Sequence, residues 1–268
     1  MTARSCAIVC ALALSPIQPA REQASSRVTA TRLQQNPLIT VASPPSLGDN
    51  VNGPSIIRAP SWLPHPLGRY YAYFGHYKSQ FIRLAYADAI TGPWKVYEPG
   101  VMPVADTAFF RPQPDPPDGP VGQFYTHIAS PEIYVDEVHK RLVMWTHGWW
   151  TNGERWPLGA AEARAWARQH GYGQFTQSSE SSDGLTFERH PAITKVSYLR
   201  VFPLDGYLYG MARLGQLLRS KDLPNVPSAA GEIEGRARQL RDPGIFEEAG
   251  RRISSTPSAA SRDSRPRS

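Results

Sequence analysis

Tyr70-Tyr71-Ala72-Tyr73-Phe74-Gly75-His76, followed by Ile82-Arg83-Leu84-Ala85-Tyr86-Ala87-Asp88 and closed by Thr91-Gly92-Pro93-Trp94, decides the fold, because the same arrangement returns twice further along. Pro54-Ser55-Ile56-Ile57-Arg58 stands ahead of this first copy. In the second copy Pro131-Glu132-Ile133-Tyr134-Val135 leads into Arg141-Leu142-Val143-Met144-Trp145-Thr146-His147 and then Gln177-Ser178-Ser179-Glu180-Ser181, with Asp183-Gly184-Leu185-Thr186-Phe187 as its closing turn. The third is shorter: Tyr198-Leu199-Arg200-Val201-Phe202, Gly206-Tyr207-Leu208-Tyr209-Gly210-Met211 and Gln216-Leu217-Leu218-Arg219-Ser220. Each segment is a short apolar or aromatic run bounded by Gly, Pro or Asp, the pattern of strands and turns. A strand-only unit repeated at this spacing predicts an all-β chain folded as a β-propeller, with small sheets fanned about an axis.

Composition agrees: 26 Pro and 21 Gly among 268 residues punctuate short strands, and 10% aromatic residues suit pleated surfaces. One large domain with a substantial core is expected. The formal charge of +6 is concentrated in arginines after residue 235, and no helix-turn-helix, zinc finger or aromatic-basic motif is present, so a nucleic-acid partner is not expected. No apolar stretch is long enough to span a membrane. Residues 1–20 read as a signal peptide, with Arg4 at the start, Cys6 to Leu14 as apolar core and Ala20 as a cleavage position, so a secreted or periplasmic protein is expected. Both cysteines lie inside that segment, which leaves the mature chain without a disulfide, a Cys nucleophile or a thiolate ligand. No cofactor and no metal are expected.

Residues 21–35 read as a linker and 36–223 as the propeller domain, with Asn36-Pro37-Leu38-Ile39-Thr40 as its first strand. The Pro- and Asp-rich run from Pro112 to Gly122 is a surface loop joining the first two blades. Between Trp149 and Gly173 the period changes, and Ala160 to His170, opened by Pro157 and closed by Gly171, predicts one inserted helix. Its aromatic entrance, Trp149, Trp150 and Trp156, is either a dock for that helix or a ligand-binding wall. Residues 224–268 are rich in Pro, Ser, Gly and Arg and are expected to be a low-complexity, largely disordered tail with a weak helix from Glu232 to Leu240. Three recognisable blades fall short of the usual minimum of about four, so an incomplete ring is expected, through degenerate blades, truncation or a shifted reading frame.

From Asn36-Pro37-Leu38-Ile39, Gly53-Pro54-Ser55-Ile56-Ile57-Arg58 and Gly68-Arg69-Tyr70-Tyr71-Ala72-Tyr73-Phe74 to Leu84-Ala85-Tyr86-Ala87-Asp88-Ala89-Ile90-Thr91-Gly92-Pro93-Trp94, the chain resembles the five-bladed β-propeller glycosidases. That superfamily comprises arabinanases, β-xylosidases, levansucrases and invertases, and the resemblance is strongest to glycoside hydrolase family 43, over residues 36 to 222. It implies a central pocket into which inner strands deliver three carboxylates: a base, a general acid, and a third that tunes the acid. Glycosidic cleavage requires a proton for the leaving oxygen and an ionised carboxylate that activates water or attacks carbon. This sequence departs from that pattern. Gly53 stands where the first-blade Asp is expected, Ser130 occupies the equivalent place in the second blade, and Tyr198 precedes Leu199-Arg200 in the third.

Glu132 is the best candidate proton donor and Asp49 the candidate base. Asn52, His76, His127, Trp145, His147 and Arg200 are candidate substrate-binding residues, Trp145 by stacking on a sugar ring. Glu132 is equally a carboxylate that binds backbone amides, and the histidines are equally structural donors at strand ends. Arg200, among apolar neighbours, needs Glu132, a sugar hydroxyl or a ligand carboxylate as acceptor, unless it pairs structurally across the channel. Asp88, Asp183 and Asp222 end the third strands and read as turn residues. The expected function is that of an exported glycoside hydrolase acting on a plant or microbial polysaccharide or oligosaccharide. The alternative is a non-catalytic carbohydrate-binding propeller or a truncated inactive fragment.

Overall fold

The structure is a computed structural model that describes residues 31–40, 47, 51–75, 80–111, 126–155, 160–221, 228–232, 244–248 and 251–255. The chain divides into two compact units, 1–34 and 35–268. Of the first, residues 31–34 are described and are exposed and irregular. The expected signal peptide lies outside the described residues.

The second unit is built from three four-stranded antiparallel meanders. β1 (Asn52–Arg58), β2 (Tyr70–Gly75), β3 (Phe81–Ala87) and β4 (Lys95–Pro103) form the first blade. The second contains β5 (Ala129–Asp136), β6 (Arg141–Trp150), β7 (Gly173–Ser181) and β8 (Glu188–Thr194). β9 (Arg200–Leu204), β10 (Tyr207–Met211), β11 (Gln216–Ser220) and β12 (Ser228–Glu232) form the third, and β13 (Gly244–Glu248) pairs with β14 (Arg251–Ser255). β5 packs against both β1 and β9, and β13 lies beside β9, so the first strands of successive sheets are neighbours, as a propeller requires.

Two-residue alternation explains how each sheet is sealed to the next. On β5 and β6, Ile133, Val135, Leu142 and Met144 face the first blade and join Tyr71, Tyr73, Ile82 and Leu84 in one core. The opposite face, with Tyr134, Val143 and Trp145, packs on Leu199, Val201, Leu208 and Leu218 of the third blade. The Tyr73 hydroxyl adds a buried hydrogen bond to the Gly184 carbonyl at 2.9 Å, tying the first blade to the turn after β7. In that turn Asp183 accepts from the amides of Leu185 (2.7 Å) and Thr186 (2.8 Å), which confirms it as a turn residue. Asp222 lies outside the described residues.

The inserted helix, α1 (Ala160–His170), lies where its sequence placed it. Ala163 and Ala167 are buried against Trp149, Trp166 and Tyr172, so Trp149 docks the helix. Trp156 lies outside the described residues. Arg111 clamps the base of this extension through Thr151 Oγ1 (3.1 Å), the Phe109 carbonyl (3.2 Å) and the Trp149 carbonyl.

One expectation is corrected. Asn36–Thr40 forms no strand, because Pro37 lacks the amide donor that a ladder needs. Each blade has a fourth, outer strand that the repeats do not mark: β4 is exposed or half-buried from Lys95 to Pro99 and buried from Gly100 to Met102, and β8 is mostly exposed and contains Pro191, so neither shows the apolar alternation that betrays a strand. Within the segment 224–268 the described residues form β12, on the edge of β11, and the β13–β14 hairpin, and the rest of the expected disordered tail lies outside the described residues. Of the weak helix expected there, Glu232 is the last residue of β12 and the rest lies outside the described residues.

Candidate functional site

The same backbone device recurs at the entrance to each inner strand. Gly53, Ser130 and Tyr198 have φ of 57°, 47° and 56°, the left-handed region that favours glycine. The register of β1 on β2 breaks between Asn52 and Ser55, and that of β5 on β6 between Ala129 and Glu132. A bulge of this kind re-aims the side chains beside it. For Ser130 and Tyr198 the conformation costs about 1–2 kcal/mol each. At Gly53 there is also no room, since an added Cβ would stand 2.7 Å from the Ser130 Oγ. One left-handed conformation repeated in three blades, strained in two of them, marks an organised site.

Two residues beyond each of these positions stand Ser55, Glu132 and Arg200, and they join into one chain across the blades. The Ser55 Oγ accepts from the Ile133 amide at 3.1 Å and donates to the Glu132 carboxylate. Glu132 accepts from the Arg200 Nη1 and the Val201 amide, both at 3.3 Å. Arg200 Nη1 also donates to the Pro131 carbonyl at 3.1 Å. Side-chain exposure is 16% for Glu132 and 10% for Arg200. Burial pushes the Glu132 carboxyl above its ordinary pKa, and Arg200, the Val201 amide and Ser55 offset part of that rise. Glu132 thus binds a backbone amide, and Arg200 pairs with it across the blades.

Above this latch is an aromatic and basic cluster. His147, opposite Ala129 on β6, lies edge-on to His127, with ring centroids 6.1 Å apart and an interplanar angle of 82°. It also lies against Tyr198, with centroids 4.0 Å apart. The Arg213 guanidinium lies 5.4 Å from the Tyr198 ring centre. His127 and His147 are 3% and 2% exposed, and the Nδ1 of His147 is buried without a hydrogen-bond partner among the described residues. Leaving such a nitrogen unsatisfied costs about 1–3 kcal/mol. Burial first, then His127, Arg200 and Arg213, hold its pKa well below the usual imidazole value, so the ring is neutral near pH 7.

Of the sequence candidates, the structure brings together Glu132 with Arg200 and His127 with His147. Asn52 opens β1 beside Gly53 and is half-buried. Trp145 is corrected: it is 2% exposed, paired with Glu132 but facing the third blade, where Leu199, Val201 and Leu208 cover it, so no sugar can stack on it. Asp49 and His76 lie outside the described residues. Asp136, on the face shared with Glu132 and Tyr134, accepts from the His139 amide (3.1 Å) and Arg141 Nε (3.0 Å) and is a turn residue. Ser55, Tyr198 as a ring partner and Arg213 were not among the candidates. Alignment of the three copies marks Ser55 and Tyr198, whereas Arg213 has no motif. Among the described residues no group of three or more His, Cys, Asp or Glu side chains gathers to hold a metal.

Three blade-forming meanders with neighbouring inner strands define a β-propeller. An exo-β-1,3-galactanase of Clostridium thermocellum shares this fold with a TM-score of 0.50 at 14% identity, over 77% of this chain and 42% of its own. An α-L-arabinofuranosidase of glycoside hydrolase family 43 from the same organism aligns with a TM-score of 0.47 at 14% identity, over 75% of this chain and 59% of its own. In sequence, an uncharacterized protein of Acanthamoeba polyphaga mimivirus is 30% identical over 183 residues, 65% of this chain and 45% of that protein. The chain thus spans less than half the length of the viral relative and of the galactanase. No family model matches the sequence. The fold is that of a β-propeller, represented among the described residues by three four-stranded blades and a hairpin.

Proposed function

We propose that this chain is a carbohydrate-binding propeller that holds a saccharide at the entrance of its inner strands without hydrolysing it. The observation that carries this reading is the identity of Gly53, Ser130 and Tyr198 at the three equivalent left-handed positions. None has a carboxyl group, and hydrolysis by the general acid and base route needs two. Asn52, half-buried where β1 begins, offers donors and acceptors suited to hydroxyls, and the half-buried Tyr198 ring offers an apolar face. Glu132 is then a strut between blades. With residues 1–20 read as an export signal, the proposed place of action is the periplasm or the exterior.

A second reading keeps hydrolysis, with Glu132 as proton donor and Asp49 as base. It is favoured by the raised pKa of Glu132 and the residual exposure of its side chain, 16%. Chromogenic arabinosides, xylosides and fructosides separate the two. The binding reading expects no release of chromophore above background, together with thermal stabilisation by sugar. Release that disappears in Glu132→Gln would establish the hydrolase.

A further inference from the structure

The binding cluster has a charge that a neutral sugar does not need. Arg200 is committed below the entrance to Glu132 and the Pro131 carbonyl. Arg213 is not: its backbone amide donates to the Ser197 carbonyl at 3.0 Å, which fixes the start of the side chain, and its guanidinium lies by the Tyr198 ring. Among the described residues no carboxylate forms an ion pair with Arg213. Beside it, against the same ring, stands His147, whose buried Nδ1 has no partner among the described residues. The three left-handed positions add no negative charge, so Arg213 is a half-buried cation in a cluster of neutral rings.

We infer that the site takes a saccharide bearing a carboxylate, a uronic acid, and that Arg213 reads the acid group. The inference rests on the carbohydrate-binding reading and adds the substrate class to it. A planar guanidinium matches a carboxylate through two parallel hydrogen bonds, a geometry that a sugar hydroxymethyl cannot supply. Stacking of the guanidinium on Tyr198 restricts its orientation before binding, so less conformational freedom is lost when the acid arrives.

The test uses the full chain and matched ligands that differ at one carbon: the methyl glycosides of glucuronate and galacturonate against those of glucose and galactose. Affinity is measured by calorimetry at constant ionic strength, with sodium sulfate as a bare anion. At least one uronide is expected to bind about tenfold or more tighter than its neutral twin and tighter than sulfate. Arg213→Gln is expected to abolish that preference, and Arg219→Gln, on the outer part of the same blade, to preserve it. Equal affinity of the twins, or of sulfate, would overturn the acidic class while leaving saccharide binding intact. Failure of every sugar to bind would overturn both readings. The comparison of twins on the unaltered protein stands whether or not the Arg213 variant folds.

Discussion

Glu132 and Arg200 carry a prediction that separates strut from catalyst. Removing the carboxylate in Glu132→Ala leaves Arg200, 10% exposed, without its ionic partner, and breaking a buried pair in this way costs about 3–5 kcal/mol. Glu132→Gln keeps an acceptor for Arg200 and the Val201 amide and is expected to cost less than half as much, as read from urea unfolding. The pH dependence has a sign. Because the folded-state pKa of Glu132 is raised, its contribution to stability is full below the ordinary carboxyl value and falls as pH rises through the shifted one. His147 acts in the opposite sense: its pKa is depressed, so the unfolded chain takes up a proton first and stability is lost as pH falls below about 6.5. Comparing melting temperatures at pH 7.5 and 5.5, the acid-induced drop is expected to be smaller in His147→Gln than in the unaltered protein. An identical drop would mean that the imidazole titrates normally.

At the scale of the element, β6 owes its position to Gly148. A methyl group there would come within 2.4 Å of the His127 carbonyl and 2.6 Å of the Phe109 ring, so the approach that brings His127 to His147 exists only with hydrogen at that position. Gly148→Ala is expected to destabilise by about 3 kcal/mol, the upper part of the overpacking range, and to weaken sugar binding together with stability. A calorimetric melt that is unchanged would show that the segment before β5 is free to move aside. The sequence reveals most clearly the elements that are packed on both faces. β2, β5, β6 and β10 read as strands because Tyr71, Ile133, Met144 and Leu208 alternate with residues of the neighbouring core. α1 was legible from its change of period and its Pro and Gly boundaries. The outer strands β4, β8 and β12 were not: they hold their places by ladder hydrogen bonds, and β4 and β8 carry no apolar alternation. In the site, Glu132, Arg200, His127 and His147 were visible from their repeat positions. Trp145 was misread because the alternation that places it opposite Glu132 does not say which face is covered. Arg213 belongs to a short turn between β10 and β11 and becomes informative only once Tyr198 is beside it.

Across the whole molecule, the blade is a repeated solution to one problem, the sealing of apolar sheet faces, and the site is what the repetition leaves at the entrance. Three equivalent left-handed residues bring three blades to a common point, and the residues two places further lock those blades through Ser55, Glu132 and Arg200. Chemistry in such a fold depends on which side chains occupy the entrance, and fold likeness alone does not supply it. Here Gly53, Ser130 and Tyr198 occupy it, with histidines and an arginine around them. The most direct measurement titrates the purified full chain with sugars from the matched uronide and neutral series, and with a short oligosaccharide of each, while products are followed by chromatography in the same vessel. Expected is a saturable heat of binding with every oligosaccharide recovered intact. Steady release of shorter sugars, lost in Glu132→Gln, would contradict it.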